Sequence, residues 1–232
     1  MTSPGAAADV DTQRGRADRR RSVPERRSHR IHLPTWASGA LAIAVAGVCS
    51  AALMVAAASP LLEWRTPVYI AAGFAGIIGL VVLLVQPLLV LGVLPRLGGY
   101  QGRRLHLWSG WLLIVLIVVH VGGLWIVSPP DVIDALVFAS PTPFSVWGVI
   151  AMWAAFVAAG IVMLRYRLPL APRTWRLVHA ALALTVVGGT VIHAVLIEGA
   201  MGTGTKMALS AAACLAAVAA AAILVRRVRA RS

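Results

Sequence analysis

Four histidines sit inside long apolar runs of this 232-residue chain, two in each of two runs. His106 and His120 lie in RRLHLWSGWLLIVLIVVHVGGLW, and His179 and His193 in TWRLVHAALALTVVGGTVIHAVLIEG. Histidine is rare in apolar segments of this length and marks a functional position by default, because a polar ring there needs a partner. Both pairs are 14 residues apart. At ~100° per residue that is ~1400°, about 40° short of four helical turns, so the two rings of each pair share one face. The same spacing sets them ~21 Å apart along the helix axis, about two-thirds of the hydrocarbon thickness of a bilayer. Two such helices running in the same direction would oppose His106 to His179 at one depth and His120 to His193 at another. Neutral imidazole is a metal ligand, and a six-coordinate haem iron takes one axial ligand on each face. Each opposed pair is therefore expected to clamp one b-type haem, two in all.

The elements that must carry these rings are membrane helices. Hydrophobic residues make up 59% of the chain and charged residues 12%, where a soluble domain has about 25% charged. Six apolar segments are predicted, at about 37–59, 67–94, 104–127, 146–165, 174–197 and 206–225. Prolines fall at or between their ends, apart from Pro87, which predicts a kink inside the second. The fold class is all-α, an integral membrane bundle of six transmembrane helices over residues 36–226. A disordered arginine-rich arm over 1–35 precedes it and a short basic tail over 227–232 follows. The first run is about 23 residues long, beyond a secretory signal core, which favours a retained helix.

The arginines orient the bundle. Nineteen of the 21 basic residues fall in the arm, the 2–3 and 4–5 connections and the tail, leaving Arg65 and Lys206 for the other side. Basic residues stay cytoplasmic, so both termini are expected inside the cell, in an inner (plasma) membrane. The net charge of +13 is then a match for anionic lipid rather than for nucleic acid. In this orientation His106 and His179 form the inner pair, and His120 and His193 the outer pair.

Other residues are read beside the histidines. Gly110, Gly122, Gly123, Gly188 and Gly189 remove bulk near them, either for a flat macrocycle or for helix packing. Trp108, Trp111, Trp125, Trp147, Trp153 and Trp175 read mostly as interfacial anchors. Arg103, Arg104 and Arg176 lie near the inner pair, where they either bind haem propionates or simply mark the cytoplasmic side. Cys49 and Cys214 fall in separate spans and read as small buried hydrophobes. His29 and His32, two residues apart on the arm, read as solvated. The stretch GAMGTGTK at 199–206 lacks the lysine position and the preceding strand of a phosphate loop. A rival function is a transporter or proton relay using the intramembrane histidines. It predicts acidic partners inside the spans, yet Glu63, Asp131, Asp134 and Glu198 all fall at the outer side.

The two H-x13-H segments in spans three and five, the lead-in RRLHLWSGW, and FSVWGVIAMW running through Arg165 to WRLVH resemble the ferric reductase-like transmembrane family. That family includes the membrane domains of ferric reductases and NADPH oxidases, and the haem-binding membrane subunit of bacterial methionine sulfoxide reductase. The resemblance covers roughly residues 65–200. It implies transmembrane electron transfer through two stacked b haems, with inner ligands His106 and His179 and outer ligands His120 and His193. It also implies a cytoplasmic flavoprotein reductase or quinol as donor and an acceptor outside. Two departures matter. Larger members carry a flavin and nicotinamide domain after the last span, where seven residues follow here. The methionine sulfoxide reductase subunits tend to lack one span-three histidine that this chain has. No motif supports FMN or FAD in this chain, which leaves either as an open cofactor, and the chain is not expected to oxidise NAD(P)H by itself.

Overall fold

A run of 18 or more apolar residues can satisfy its backbone in lipid only by closing every hydrogen bond internally, and an α-helix does so. The computed structural model describes residues 33–230, and these are mostly helical with no strand. Six helices are long and apolar enough to cross a membrane. They are α1 (Thr35–Ala57), α2 (Pro67–Leu91), α3 (Tyr100–Val127), α5 (Ser145–Met163), α6 (Pro172–Leu196) and α7 (Thr203–Arg229). The shortest, α5, has 19 residues, so at ~1.5 Å per residue even it reaches nearly the ~30 Å of a hydrocarbon core. The chain is a multi-pass membrane protein. Residues 1–32, with His29 and His32, and Arg231 lie outside the described residues.

Local sequence explains the ends. Pro67 and Pro172 open α2 and α6 at the first helical position, where a missing N–H costs nothing, and Thr66 Oγ1 accepts from the Tyr69 N–H (3.3 Å) to cap α2. Gly92 ends α2 in the left-handed region (φ 67°), the terminator that glycine supplies without steric cost. The helix runs through Pro87 to that glycine. Two boundaries depart furthest from expectation. Helix α3 begins at Tyr100, and α7 continues to Arg229, so Arg226, Arg227 and Arg229 occupy its last turns rather than a separate tail. There cations meet the negative end of the helix dipole. A further short helix, α4 (Pro129–Leu136), fills the connection after α3; its two leading prolines and Asp131 suit a first turn.

The bundle is built from two hairpins. Helix α3 packs along α2, and α6 packs along α5; α7 lies against both α2 and α6, and α1 leans on α7 and α2. The two histidine helices α3 and α6 share no more than marginal backbone contact, so each is held by its own hairpin partner across a gap. Core packing is concentrated on α2 and α7, where Leu80, Leu84 and Leu209 are fully enclosed. At the other extreme Ile43 is 76% exposed and Leu215 73% exposed, an outer surface that only lipid can solvate. Lys206 is buried at the start of α7, where its Nζ donates to the Ile197 carbonyl (2.5 Å) and ties α7 to the end of α6.

Glycine pairs set the hairpin spacing. A Cβ on Gly123 would meet the Ala72 Cβ of α2 at 2.8 Å, and one on Gly189 would meet the Trp147 carbonyl of α5 at 2.8 Å. Their chain neighbours Gly122 and Gly188 face open space. Close backbone approach is how small residues hold membrane helices together. Gly123→Ala and Gly189→Ala are therefore expected to destabilise the bundle by about 1–3 kcal/mol. Gly122→Ala and Gly188→Ala should be neutral or stabilising by up to about 1 kcal/mol. Thermal melts of the four variants in one detergent separate the two classes, and equal melting points would refute the assignment.

Candidate functional site

The site begins with two helices that start near one level and run the same way. His106 and His179 lie in the early turns of α3 and α6, and His120 and His193 in their later turns. The structure brings them together by depth. The rings of His106 and His179 have centroids 6.1 Å apart, and those of His120 and His193 have centroids 6.4 Å apart. The ring planes cross at 77° in the first pair and 83° in the second. All four rings are partly buried.

What orients each ring is a carbonyl on the neighbouring helix. His120 Nδ1–H donates to the Ala72 carbonyl of α2 (2.7 Å), and His193 Nδ1–H donates to the Phe144 carbonyl at the start of α5 (2.9 Å). His106 Nδ1–H donates to the Gln86 carbonyl of α2 (3.3 Å), while the Gln86 side-chain amide donates back to the His106 carbonyl (3.3 Å). A carbonyl oxygen only accepts, so in all three rings Nδ1 carries the proton. The lone pair is then on Nε2, the arrangement that second-shell partners impose on metal-ligating histidines.

The second pair uses one device twice. Gly76 lies four residues after Ala72, and a Cβ on it would meet His120 Nδ1 at 3.1 Å. Gly148 lies four residues after Phe144, and a Cβ on it would meet His193 Nδ1 at 2.8 Å. In each case the missing side chain, one turn along from the carbonyl, gives the imidazole room to reach it. The Phe144 ring also meets His193 edge-on at 5.6 Å.

His179 is held differently. Its Nδ1 is buried with no hydrogen-bond partner, and its ring stacks on Trp175 (centroids 5.5 Å, planes 6° apart). The Arg165 guanidinium lies 4.6 Å from the centre of the Trp175 ring. Trp108, Trp111, Trp125, Trp147 and Trp153 are all exposed, in keeping with anchors, whereas Trp175 is not, and its Nε1 is buried without a partner.

The arginines divide by helical angle. Arg103 and Arg176 each stand three residues before a histidine of the first pair, ~60° from it around the helix, while Arg104 stands ~200° from His106. All three side chains are exposed.

The arrangement can hold a metal ion between two rings. A metal–imidazole bond is about 2 Å, and a ring nitrogen sits about 1.1 Å from its centroid, so imidazoles on opposite sides of one ion have centroids about 6 Å apart. Both pairs have that separation. Among the described residues no three His, Cys, Asp or Glu side chains converge on one point. Of the four buried side-chain polar atoms without a partner among the described residues, three surround the first pair: Gln86 Oε1, Trp175 Nε1 and His179 Nδ1. Polar atoms sealed from water without partners are costly.

Searches of family models, curated proteins and solved structures find no match to this chain.

Several residues of the site were not singled out from sequence. Gln86 had a signal, as an amide inside an apolar span. Gly76 and Gly148 had none, since their partners are on another helix. Histidine tautomers are the direct check on the hydrogen bonds: ¹⁵N solid-state spectra of the histidine-labelled, metal-free protein should show Nδ1–H for His106, His120 and His193. Gly148→Ala should change the His193 signal and leave the His106 signal in place. Nε2–H at His120 or His193 would overturn the carbonyl assignment.

Proposed function

We propose that this chain is the membrane component of an electron-transfer oxidoreductase that holds two b-type haems, one between His106 and His179 and one between His120 and His193. The observation that carries the reading is the geometry of the two pairs. Each sets two imidazoles at the separation of axial ligands on one ion, and three of the four rings have Nδ1–H committed to a backbone carbonyl. The gap between α3 and α6 supports it, because helices in direct contact would leave no room for a macrocycle. So does the resemblance of the paired H-x13-H helices to the ferric reductase-like family.

When bound, two haems would supply one-electron redox centres at two depths of the bilayer. The chain's own residues hold and orient. His106, His120 and His193 present Nε2 lone pairs, and His179 faces His106 as the fourth ligand; Gln86, Ala72 and Phe144 fix three ring orientations through their carbonyls. Arg176, and Arg103 in preference to Arg104, are placed to meet carboxylates of a group held by the first pair. The apolar helix faces exclude water from the gap. The basic ends of the spans put both termini in the cytoplasm of a cell with the chain in its plasma membrane, and make the first pair the inner one. Electrons would then come from a cytoplasmic flavoprotein or from quinol, and the basic face suits an acidic protein partner. The acceptor would be external. A proton relay is less well supported, because three of the four imidazole Nδ1 atoms meet backbone carbonyls rather than acidic side chains.

Pyridine haemochrome analysis should find two b haems per chain. His106→Leu and His179→Leu should each remove the same half of the haem, and His120→Leu and His193→Leu the other half. Loss of one shared component in His106→Leu and His193→Leu would break the depth pairing, and a haem-free protein from haem-replete cells would sink the function. Near-perpendicular axial rings are also expected to give strongly anisotropic low-spin ferric EPR signals for both centres. For topology, a reporter active only outside the cytoplasm should be silent when fused after Ser232; activity there would invert the orientation.

A further inference from the structure

The two histidine pairs are not equivalent. In the second pair both rings donate short hydrogen bonds to carbonyls, at 2.7 and 2.9 Å. In the first pair His106 donates a longer one at 3.3 Å, and His179 donates none. The register between hairpin partners shows what is missing. Ala72 and Gln86, the acceptors for α3, are 14 residues apart, like the histidines they serve. Fourteen residues on from Phe144 in α5 is Ala158, the carbonyl that His179 would use by the same rule. His179 does not use it. Where glycines clear the way for the second pair, one turn after Ala72 and Phe144, the corresponding residues one turn after Gln86 and Ala158 are Val90 and Val162. A β-branched side chain there stands in place of the notch.

His179 has the Arg165–Trp175 stack instead. The indole lies parallel to the imidazole, within 6°, and fixes the ring plane by packing, while Arg165 lies over the indole at 4.6 Å. Both substitutions act in one direction on a metal held by this pair. An Nδ1–H···O=C bond makes the ring a stronger donor to the metal and favours the oxidised ion; His179 lacks that bond. A guanidinium one ring away disfavours the additional positive charge of the oxidised state.

We propose that the Arg165–Trp175 stack replaces a backbone carbonyl as the positioning element of His179 and makes the His106–His179 site the higher-potential of the two. Arg165 and Trp175 act through His179 and are positioning residues, not ligands. The proposal rests on the haem reading, and it differs from that reading in what would overturn it.

The test is a potentiometric titration of the purified, haem-loaded full chain, followed by its absorption bands. Two steps are expected, and the step that survives in His120→Leu, which retains only the first pair, should be the higher. Arg165→Gln and Trp175→Leu should lower that step and leave the other in place. Arg165→Lys, which restores the charge, and Trp175→Phe, which restores a stacking ring, should return most of the shift. Arg165 is exposed, so Arg165→Gln reports on the potential without disturbing the core. A first-pair step at or below the other would overturn the proposal while leaving the haem reading intact. So would variants that move both steps equally or move neither. A wild-type protein without haem would overturn both.

Discussion

An imidazole inside an apolar bundle has two nitrogens, and only one carries the proton in the neutral ring. Whichever nitrogen donates must find an acceptor, because an unpaired polar atom in a low-dielectric interior costs on the order of 1–3 kcal/mol. In this protein that acceptor is a main-chain carbonyl on the adjacent helix, for three of the four intramembrane histidines. The choice fixes the tautomer, the tautomer decides which nitrogen faces the gap, and the facing nitrogen decides what the gap can hold. The backbone is a fitting partner. Its position is set by the helix ladder, and no side-chain rotamer has to be frozen to supply it.

The requirement propagates into packing. A carbonyl in a helix is shielded by the side chain one turn ahead, and the rings approach it most closely where that side chain is absent, as at Gly76 and Gly148; His106, with Val90 in that place, reaches the Gln86 carbonyl only at 3.3 Å. The helices must also be close enough, which Gly123 and Gly189 arrange on the histidine side of each hairpin. Each hairpin thus carries two glycines with separate duties, one for the ring and one for the helix axis. The hairpins α2–α3 and α5–α6 use the same solution at the same depth, and the two second-pair rings meet across the gap with centroids 6.4 Å apart.

The solution is not repeated at the other end. Near the start of α6 the chain has just turned from α5, and Arg165, close after that helix ends, lies over Trp175. An aromatic stack can orient a ring through dispersion and shape, but it offers the ring N–H no acceptor. His179 is therefore positioned yet unsatisfied, and it is the ring on which the properties of the two sites diverge.

How much of this was legible in the sequence follows from which interactions are local. Six spans, their alternation and the shared face of each histidine pair are consequences of helical periodicity and of the cost of unpaired backbone in lipid, both properties of a continuous segment. The 14-residue spacing by itself determined that two rings on α3 and two on α6 come in matching steps. The end of α3 at Tyr100 and the reach of α7 to Arg229 were misjudged because charged residues can continue a helix beyond the apolar stretch. The roles of the glycines were not legible, since Gly122 and Gly123 are alike in the chain and differ only in what faces them. Nor was Trp175 distinguishable from the exposed tryptophans before its stack on His179 was seen. Tertiary structure decided the carbonyl partners, the notches at Gly76 and Gly148, the perpendicular ring planes and the exception at His179. Each depends on how two helices meet, and the register between two helices is set by the packing of both surfaces, which neither segment encodes alone.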